Sequence, residues 1–307
     1  MNNAPPSTDS TDSPGAQAVP AEAAAPPGTA AKAAPARGGA VPGKTPARRG
    51  RRPAKWLGAA GLRLAPFVLV LLLWWALSAG GAFDPTIIPG PKAVGTALWD
   101  GLITQGDMWS DLGATLYRAV LGLLIGAALG LVIGVLMGES KWVAHLLEPL
   151  ISFAFPMPKL ALLPLLIVVF GIGQTSLLVM VVLGAFFPMV VNTYAGVTGV
   201  SRVLLWNART LGANKLQQLR TVVVFAALPH ILSGIRVATG VAFLLVVAAE
   251  MISANDGLGY LIIFSQRNYR PDLVIAGILA TAALGFVIDR LVSYASARLL
   301  AWQDSAR

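Results

Sequence analysis

Long apolar runs recur along this chain and constrain its fold more than any other feature. Six segments of about 20 residues are rich enough in Leu, Val, Ile, Ala and Gly to cross a bilayer as helices. They occupy residues 64–82, 112–137, 146–170, 174–196, 232–253 and 272–296. With 56% hydrophobic and only 12% charged residues, a soluble domain of 307 residues could not bury this much apolar surface. We therefore predict an all-α integral membrane protein with about six transmembrane helices.

The third of these segments contains four prolines, Pro149, Pro156, Pro158 and Pro164. Proline lacks a backbone N–H and clashes with the preceding turn, so it kinks or breaks a helix. The backbone groups that it frees need partners, which lipid does not offer. We expect a broken helix here, placed inside the bundle or along a cavity.

Residues 1–63 precede the apolar runs and form the first predicted domain; the second covers residues 64–302. The first is dominated by Ala, Pro, Gly and Thr and ends in a basic cluster, which is typical of a disordered tail. Its paired arginines also fit a twin-arginine export signal, but no convincing small-residue cleavage site follows. A cytoplasmic tail that anchors the first span is favoured.

Lys and Arg are distributed unequally between the two sides of the predicted bundle. If the amino terminus is cytoplasmic, 18 of them lie on the inner side and three on the outer side, namely Lys92, Arg267 and Arg270. The positive-inside rule then predicts that both termini and the loop after span four are cytoplasmic. The same rule explains the net charge of +9, because the basic residues are concentrated in the tail and a few inter-span loops; membrane lipid is expected as a partner and nucleic acid is not.

The sequence contains no cysteine and only two histidines, His145 and His230, which are far apart. Neither a disulfide nor a thiol nucleophile is available, and no metal centre is expected. The Gly-rich stretch at 255–260 lacks the Lys-Ser/Thr of a phosphate-binding loop, so we expect a turn between spans five and six. Because no catalytic constellation appears, we expect no enzymatic activity and no cofactor in this chain.

A basic, amphipathic insert separates spans four and five, at about residues 198–229. Residues 203–211 and 216–226 each predict a short helix, and Gly212 between them suits a tight or left-handed turn. A helix-turn-helix of this length on the inner membrane surface favours docking of a soluble partner. The alternative is an ordinary interfacial amphipathic loop.

The insert resembles the EAA loop of the permeases of binding-protein-dependent ABC importers. The family pattern of an Ala, a Gly four residues later and a downstream Ile/Leu-Pro is matched by Ala208, Gly212, Leu228 and Pro229. The resemblance implies that the loop sits in a cleft of a cytoplasmic ATPase and couples it to the spans. The implied ATPase-coupling residues are Asn207, Ala208, Arg209, Gly212, Leu228 and Pro229. At Asn207 the chain departs from the usual Glu, although asparagine also caps helices well.

Four further segments resemble the nitrate/sulfonate/taurine branch of this family in order and spacing, at residues 87–94, 155–173, 184–197 and 248–262. The resemblance covers about residues 64–302 and implies a type I ABC importer permease in a bacterial inner membrane. It also implies two cytoplasmic ATP-binding subunits that use the ATP, a second copy of the chain in a homodimer, and an extracytoplasmic solute-binding protein.

Three ionisable residues lie at membrane depth, Arg118, Lys159 and Glu250. A charge near the bilayer centre costs about 2.5–3.5 kcal/mol on insertion scales, so each is a candidate for the substrate path. Arg118 could instead reach the outer headgroups, Lys159 could satisfy carbonyls of the broken helix, and Glu250 could pair with either cation. Phe187 and Asn192 of span four are further candidates, although a Phe in a bundle more often packs.

These features predict the transmembrane subunit of an ATP-driven importer that works by alternating access. Positive charge at Arg118 and Lys159 would favour a small anion of the aliphatic sulfonate, taurine or nitrate class. A self-sufficient secondary transporter or channel is the alternative, which predicts inverted repeats and a chain of carboxylates that the sequence lacks. A membrane-embedded enzyme is a third class, without a catalytic constellation here.

Overall fold

The computed structural model describes residues 54–80, 84 and 87–301, in which every regular element is a helix, as predicted. Residues 1–53 of the tail predicted for residues 1–63 lie outside the described residues, and their disorder stays a prediction, whereas residues 54–63 already belong to the first helix. The α-helices are α1 (Ala54–Ala79), α2 (Pro91–Trp99), α3 (Met108–Glu139), α4 (Lys141–Ala154), α5 (Leu163–Phe170), α6 (Gln174–Thr198), α7 (Arg202–Thr210), α8 (Lys215–Gln218), α9 (Val224–Ser253), α10 (Leu258–Arg267) and α11 (Pro271–Leu299).

Four helical stretches of the described chain are long and apolar enough to cross a membrane: Met108–Glu139, Gln174–Thr198, Lys215–Arg267 and Pro271–Leu299. The bent pair of α4 and Lys159–Phe170 makes a fifth if it counts as one span. Five of the six predicted spans thus have counterparts. The other, 64–82, falls on α1, in which Val68–Ala79 is an apolar helical stretch of the described residues. That span stays a prediction.

The third predicted span is broken, as its prolines predict. A short 3-10 turn, Lys159–Leu162, leads from the break into α5, and the two arms meet at a bend of 93°. Pro156 and Pro158 lie in the break, where neither can donate a backbone hydrogen bond that would continue α4. Pro149 stays inside α4, and Pro164 lies in the first turn of α5, where proline is tolerated.

One face of α3 packs closely along α6 because it carries a glycine at every fourth position: Gly122, Gly126, Gly130, Gly134 and Gly138. A Cβ built on Gly126 would lie 2.5 Å from the carbonyl oxygen of Val182. One built on Gly130 would lie 2.7 Å from the carbonyl oxygen of Phe186. Glycine therefore lets the two backbones approach, and such small-residue contacts drive helix association in lipid.

The long helix α9 runs antiparallel to α6 and packs against it and α3. Gly196, near the end of α6, lies against Ala227 at the start of α9, whereas Gly184 lies against Leu245 farther along α9. The shared core consists of small and β-branched side chains: Ala119, Val181, Ala185, Ala238, Ala242 and Val246. We call the end of the bundle that carries residues 199–223 the insert end and the opposite one the distal end. Under the predicted topology the insert end faces the cytoplasm.

Two short helices at the distal end, α2 and α10, were not predicted. The turn expected at 255–260 is only partly present, because Gly257, with φ of 104°, ends it and α10 begins at Leu258. Leu258 is fully buried in a cluster with Val94 of α2 and Ala276 of α11. A helix of 10 residues is too short to span, so the search for apolar runs of about 20 residues missed it.

Candidate functional site

The insert folds as two short helices joined at Gly212, close to the prediction. The first is α7, and Gly212 follows it with φ of 83°, a left-handed conformation that favours glycine. The second differs from the predicted 216–226, since α8 ends at Gln218 and a π-helical turn, Leu219–Val223, continues directly into α9. The insert is therefore joined to α9 without a flexible loop.

Polar side chains fix the turn between α7 and α8. Asn214 and Gln217 form a capping box, with hydrogen bonds of 2.8 and 2.9 Å between each side chain and the other's backbone N–H. Gln218 is buried, donates to the carbonyl of Ala213 at 2.7 Å and accepts from Nε of Arg209 at 3.3 Å. Arg209, a predicted coupling residue, thus links α7 to α8 and stabilises the turn between them.

The surface of the insert carries large apolar side chains that the described chain leaves exposed over about half of their area or more. We call them the insert patch: Val203, Leu204, Trp206, Leu211 and Leu216. Trp206 is 62% and Leu211 88% exposed, and the predicted coupling residue Asn207 is exposed beside them. Ala208 is half-buried in α7, while Leu228 and Pro229 are half-buried in α9. The ATPase-coupling role of these residues stays a prediction.

A cavity of about 690 Å³ opens at the insert end, between the end of α3, the start of α4, α6 and α7. Both acidic and basic side chains line it: Glu139, Lys141, Glu148, Arg202 and Arg209. Its residues come from three stretches of the sequence, 137–148, 194–209 and Val223, so no local pattern predicts it. A polar cavity of this size can hold water and a small solute.

At the distal end, Arg118 and Glu250 form a buried ion pair. Arg118 is 3% and Glu250 1% exposed, and Nη1 of Arg118 donates to Oε1 of Glu250 at 2.7 Å. Nε of Arg118 donates to Oε1 of Gln174 at 2.8 Å, and the guanidinium also contacts the backbone carbonyl and the carboxylate of Asp256. The alternative that Arg118 reaches the outer lipid headgroups is therefore wrong, because all three nitrogens of its guanidinium donate hydrogen bonds within the protein. Pairing between Glu250 and a cation is confirmed.

The same cluster anchors the amino-terminal end of α10. Asp111 accepts from the N–H of Gly257 at 2.8 Å, and Thr115 Oγ1 accepts from the N–H of Leu258 at 2.8 Å. Glu250 Oε2 accepts from Thr115 at 2.8 Å and from the N–H of Gly259 at 3.1 Å. The first N–H groups of a helix have no partners within the helix, and here α3 and α9 supply them. We call these residues, with Arg118, Gln174 and Asp256, the distal network.

Of the other substrate-path candidates, Lys159 and Phe187 lie near the break in the third span. Nζ of Lys159 donates to the carbonyl of Phe155 at 2.8 Å, so it does satisfy a carbonyl of the broken helix. It also lies 5.0 Å from the ring centroid of Phe187, within the range of a cation–π contact. Asn192 donates to the carbonyl of Pro188 at 2.9 Å. Whether Arg118, Lys159, Phe187, Asn192 and Glu250 contact a substrate stays a prediction.

Comparison with known proteins gives the chain its family. The family described as binding-protein-dependent transport system inner membrane component matches residues 126–301. An aliphatic sulfonates transport permease protein of Bacillus subtilis is 35% identical over 256 residues, covering 83% of this chain and 91% of the relative. The corresponding protein of Escherichia coli is 38% identical over 238 residues, covering 76% and 89%.

A taurine transport system permease protein of Escherichia coli is 34% identical over 250 residues, covering 80% of this chain and 91% of the relative. Among solved structures, a chain of the inward-facing MetNI methionine ABC transporter is 18% identical with a TM-score of 0.49, covering 61% of this chain and 96% of that one. The sequence matches establish that the chain belongs to the family of binding-protein-dependent transport system inner membrane components and is a multi-pass permease subunit of the inner membrane.

Proposed function

We propose that this chain is the transmembrane subunit of an ATP-driven importer, and that the insert couples it to a cytoplasmic ATP-binding subunit. The observation that carries the proposal is the insert patch. Trp206 and Leu211 protrude from an ordered helix-turn-helix, and a surface of exposed large apolar side chains marks a docking site. Each chain carries one insert, and an importer with two ATP-binding subunits needs two inserts. The importer would therefore contain two copies of this chain.

The connection between the insert and the bundle supports a mechanical role. α8 continues through the π-helical turn into α9, so we expect a displacement of the insert to move α9 with it. At its distal end α9 is joined through Glu250 to α3 and α10. A pull by the closing ATP-binding subunits would therefore reach the distal end along rigid elements, as alternating access requires.

The proposed substrate is a small organic anion, with aliphatic sulfonates and taurine as the first candidates and nitrate as the next. The sulfonate and taurine permeases named above support this class, since they match this chain at 34–38% identity over most of its length. An extracytoplasmic solute-binding protein would deliver the anion to the distal end. The excess of Lys and Arg on the insert side supports a cytoplasmic insert and cytoplasmic termini.

The proposal is tested in proteoliposomes that contain this chain, its ATP-binding subunit and the solute-binding protein. We expect uptake of a radiolabelled alkanesulfonate or taurine only when ATP and the solute-binding protein are both present. Vesicles without ATP, and vesicles with an ATP-binding subunit that cannot hydrolyse ATP, are the matched controls. Uptake by this chain alone, without ATP, would instead make it a secondary transporter or channel.

A further inference from the structure

A second cavity, of about 680 Å³, lies at the distal end between the end of α5, the end of α9 and one face of α10. We call it the distal cavity. Its volume is within the range of about 300–1,000 Å³ that is typical of small-molecule sites. Its walls come from residues 167–172 and 252–268, which are distant in sequence, so no local pattern predicts the cavity.

The distal cavity carries one charged side chain, Arg267, and no carboxylate among the described residues that line it. Arg267 is exposed and forms no ion pair with the part of the chain that the structure describes. The acids nearest in sequence are engaged elsewhere, since Asp256 pairs with Arg118 and Asp272 pairs with Arg270. The guanidinium of Arg267 is therefore free to bind an anion, which its planar set of donors suits well.

Neutral donors and an apolar wall accompany this charge. The amide of Asn255 and the hydroxyl of Tyr260 make no hydrogen bond to any described residue, and both groups line the distal cavity. Ile172, Ile252 and Phe264 line it as well and are exposed there. A cation with nearby donors suits an anionic head, and the apolar side chains suit a short aliphatic tail.

The distal network holds one wall of the distal cavity in place. In the sequence Asn255 lies between Glu250 and Asp256, which are both bound by Arg118. Glu250 is its partner in the buried ion pair, and the backbone carbonyl of Asp256 accepts from it at 3.1 Å. On the other side, α10 starts with N–H groups bound by Asp111 and Thr115. The backbone around Asn255 and at the start of α10 is therefore held in place before a ligand arrives, which lowers the entropy that binding would otherwise cost.

From this arrangement we infer that the distal cavity is a binding site for a small organic anion of the sulfonate type, received at the outer face before it passes through the bundle. Arg267 binds the anionic head and the isoleucines with Phe264 contact the tail. The inference rests on the proposed function, to which it adds the position of a substrate site and its residues.

Because the chain contains no cysteine, a thiol introduced into the distal cavity can be labelled specifically. Asn255→Cys places a thiol in the cavity lining, and Gln266→Cys places a matched thiol on the same end of the molecule, at an exposed position of α10 outside that lining. Each variant is assembled with its ATP-binding subunits in nanodiscs. Its rates of reaction with 2-sulfonatoethyl methanethiosulfonate, an anion, and with the trimethylammonium analogue, a cation, are measured with and without ATP.

The quantity compared at each thiol is the labelling rate with the anionic reagent divided by that with the cationic reagent. We expect this ratio to be at least about fivefold higher at Asn255→Cys than at Gln266→Cys, which is an effect of the size that one nearby unit charge can produce. Adding Arg267→Gln should abolish this preference, whereas Arg270→Gln, at an arginine already paired with Asp272, should leave it within twofold. Millimolar butanesulfonate should slow labelling of Asn255→Cys and leave Gln266→Cys unchanged.

Equal reagent preference at the two thiols, or a preference that survives Arg267→Gln, would overturn the inference. So would a thiol at Asn255→Cys that reacts with neither reagent in either nucleotide state, because lipid or the second copy would then fill the distal cavity. ATP-driven uptake by the cysteine-free parent is measured with the same subunits. If that uptake occurs while the labelling result fails, only the distal site is refuted; if no ATP-driven uptake occurs, the proposed function itself is refuted.

Discussion

Replacing Arg118 by methionine is expected to destabilise the protein strongly. In Arg118→Met the carboxylate of Glu250, 1% exposed, keeps Thr115 and the N–H of Gly259 as donors but loses its cation. Removing one member of a buried ion pair costs about 3–5 kcal/mol, because the other charge is left uncompensated. The hydrogen bonds from Arg118 to Gln174 and Asp256 are lost as well, which acts in the same direction.

The assay is the apparent Tm of the purified protein in detergent, taken from the monodisperse fraction that survives heating. For a domain of about 150–250 residues, each kcal/mol lowers Tm by about 2–4 °C. The loss of the buried pair therefore predicts a decrease of about 6–20 °C. Size-exclusion chromatography before heating confirms that the variant is folded at the start.

Two matched variants separate this explanation from a general effect of losing an arginine. Arg270→Met breaks the exposed pair with Asp272, which is expected to contribute at most about 1 kcal/mol. Adding Glu250→Gln to Arg118→Met removes the stranded charge but keeps an acceptor for Thr115, so it should recover more than half of the loss. Equal Tm shifts for Arg118→Met and Arg270→Met, or no recovery in the double variant, would refute the reasoning.

Three further changes test the helix contacts and the insert. Gly126→Val should lower stability by about 1–3 kcal/mol through overpacking against α6, whereas Gly95→Ala, with open space around its Cβ, should not, as Tm would reveal. Gly212→Val should abolish uptake without preventing membrane insertion, since β-branched residues disfavour φ of 83°, and Gly212→Asn should retain it. Asn214→Ala should cost about 1 kcal/mol and speed hydrogen exchange in α8; unchanged exchange would contradict the capping role.

Much of the fold could be predicted from hydropathy and from the backbone sterics of proline and glycine. The spans that became α3, α6, α9 and α11 follow from apolar length alone, because lipid forces every backbone polar group into a helix. The break at Pro156 and Pro158 and the turn at Gly212 follow from local backbone sterics. Such features depend on residues close together in sequence.

The distal network and both cavities could not be predicted in the same way. Hydropathy indicates that Arg118 and Glu250 are costly in lipid, but it does not indicate which side chain meets which across 132 positions of sequence. α10 could not be predicted from apolar length. Leu258 is buried by protein rather than by lipid, and a helix that packs against other helices needs no apolar run of about 20 residues. The place of Arg267 in the distal cavity likewise depends on residues 167–172 and 252–268 coming together in the fold.

The central claim is that the insert patch binds a cytoplasmic ATP-binding subunit. Its most direct test is co-purification of the tagged chain with the co-expressed ATP-binding subunit, using Trp206→Glu combined with Leu211→Glu and, as a control, Trp99→Glu. Trp99 is 63% exposed like Trp206 but lies at the distal end. We predict that the native chain and Trp99→Glu retain the ATP-binding subunit in equal proportion and that the double variant loses it. Retention by the double variant, or no ATP-binding subunit with the native chain, would contradict the claim.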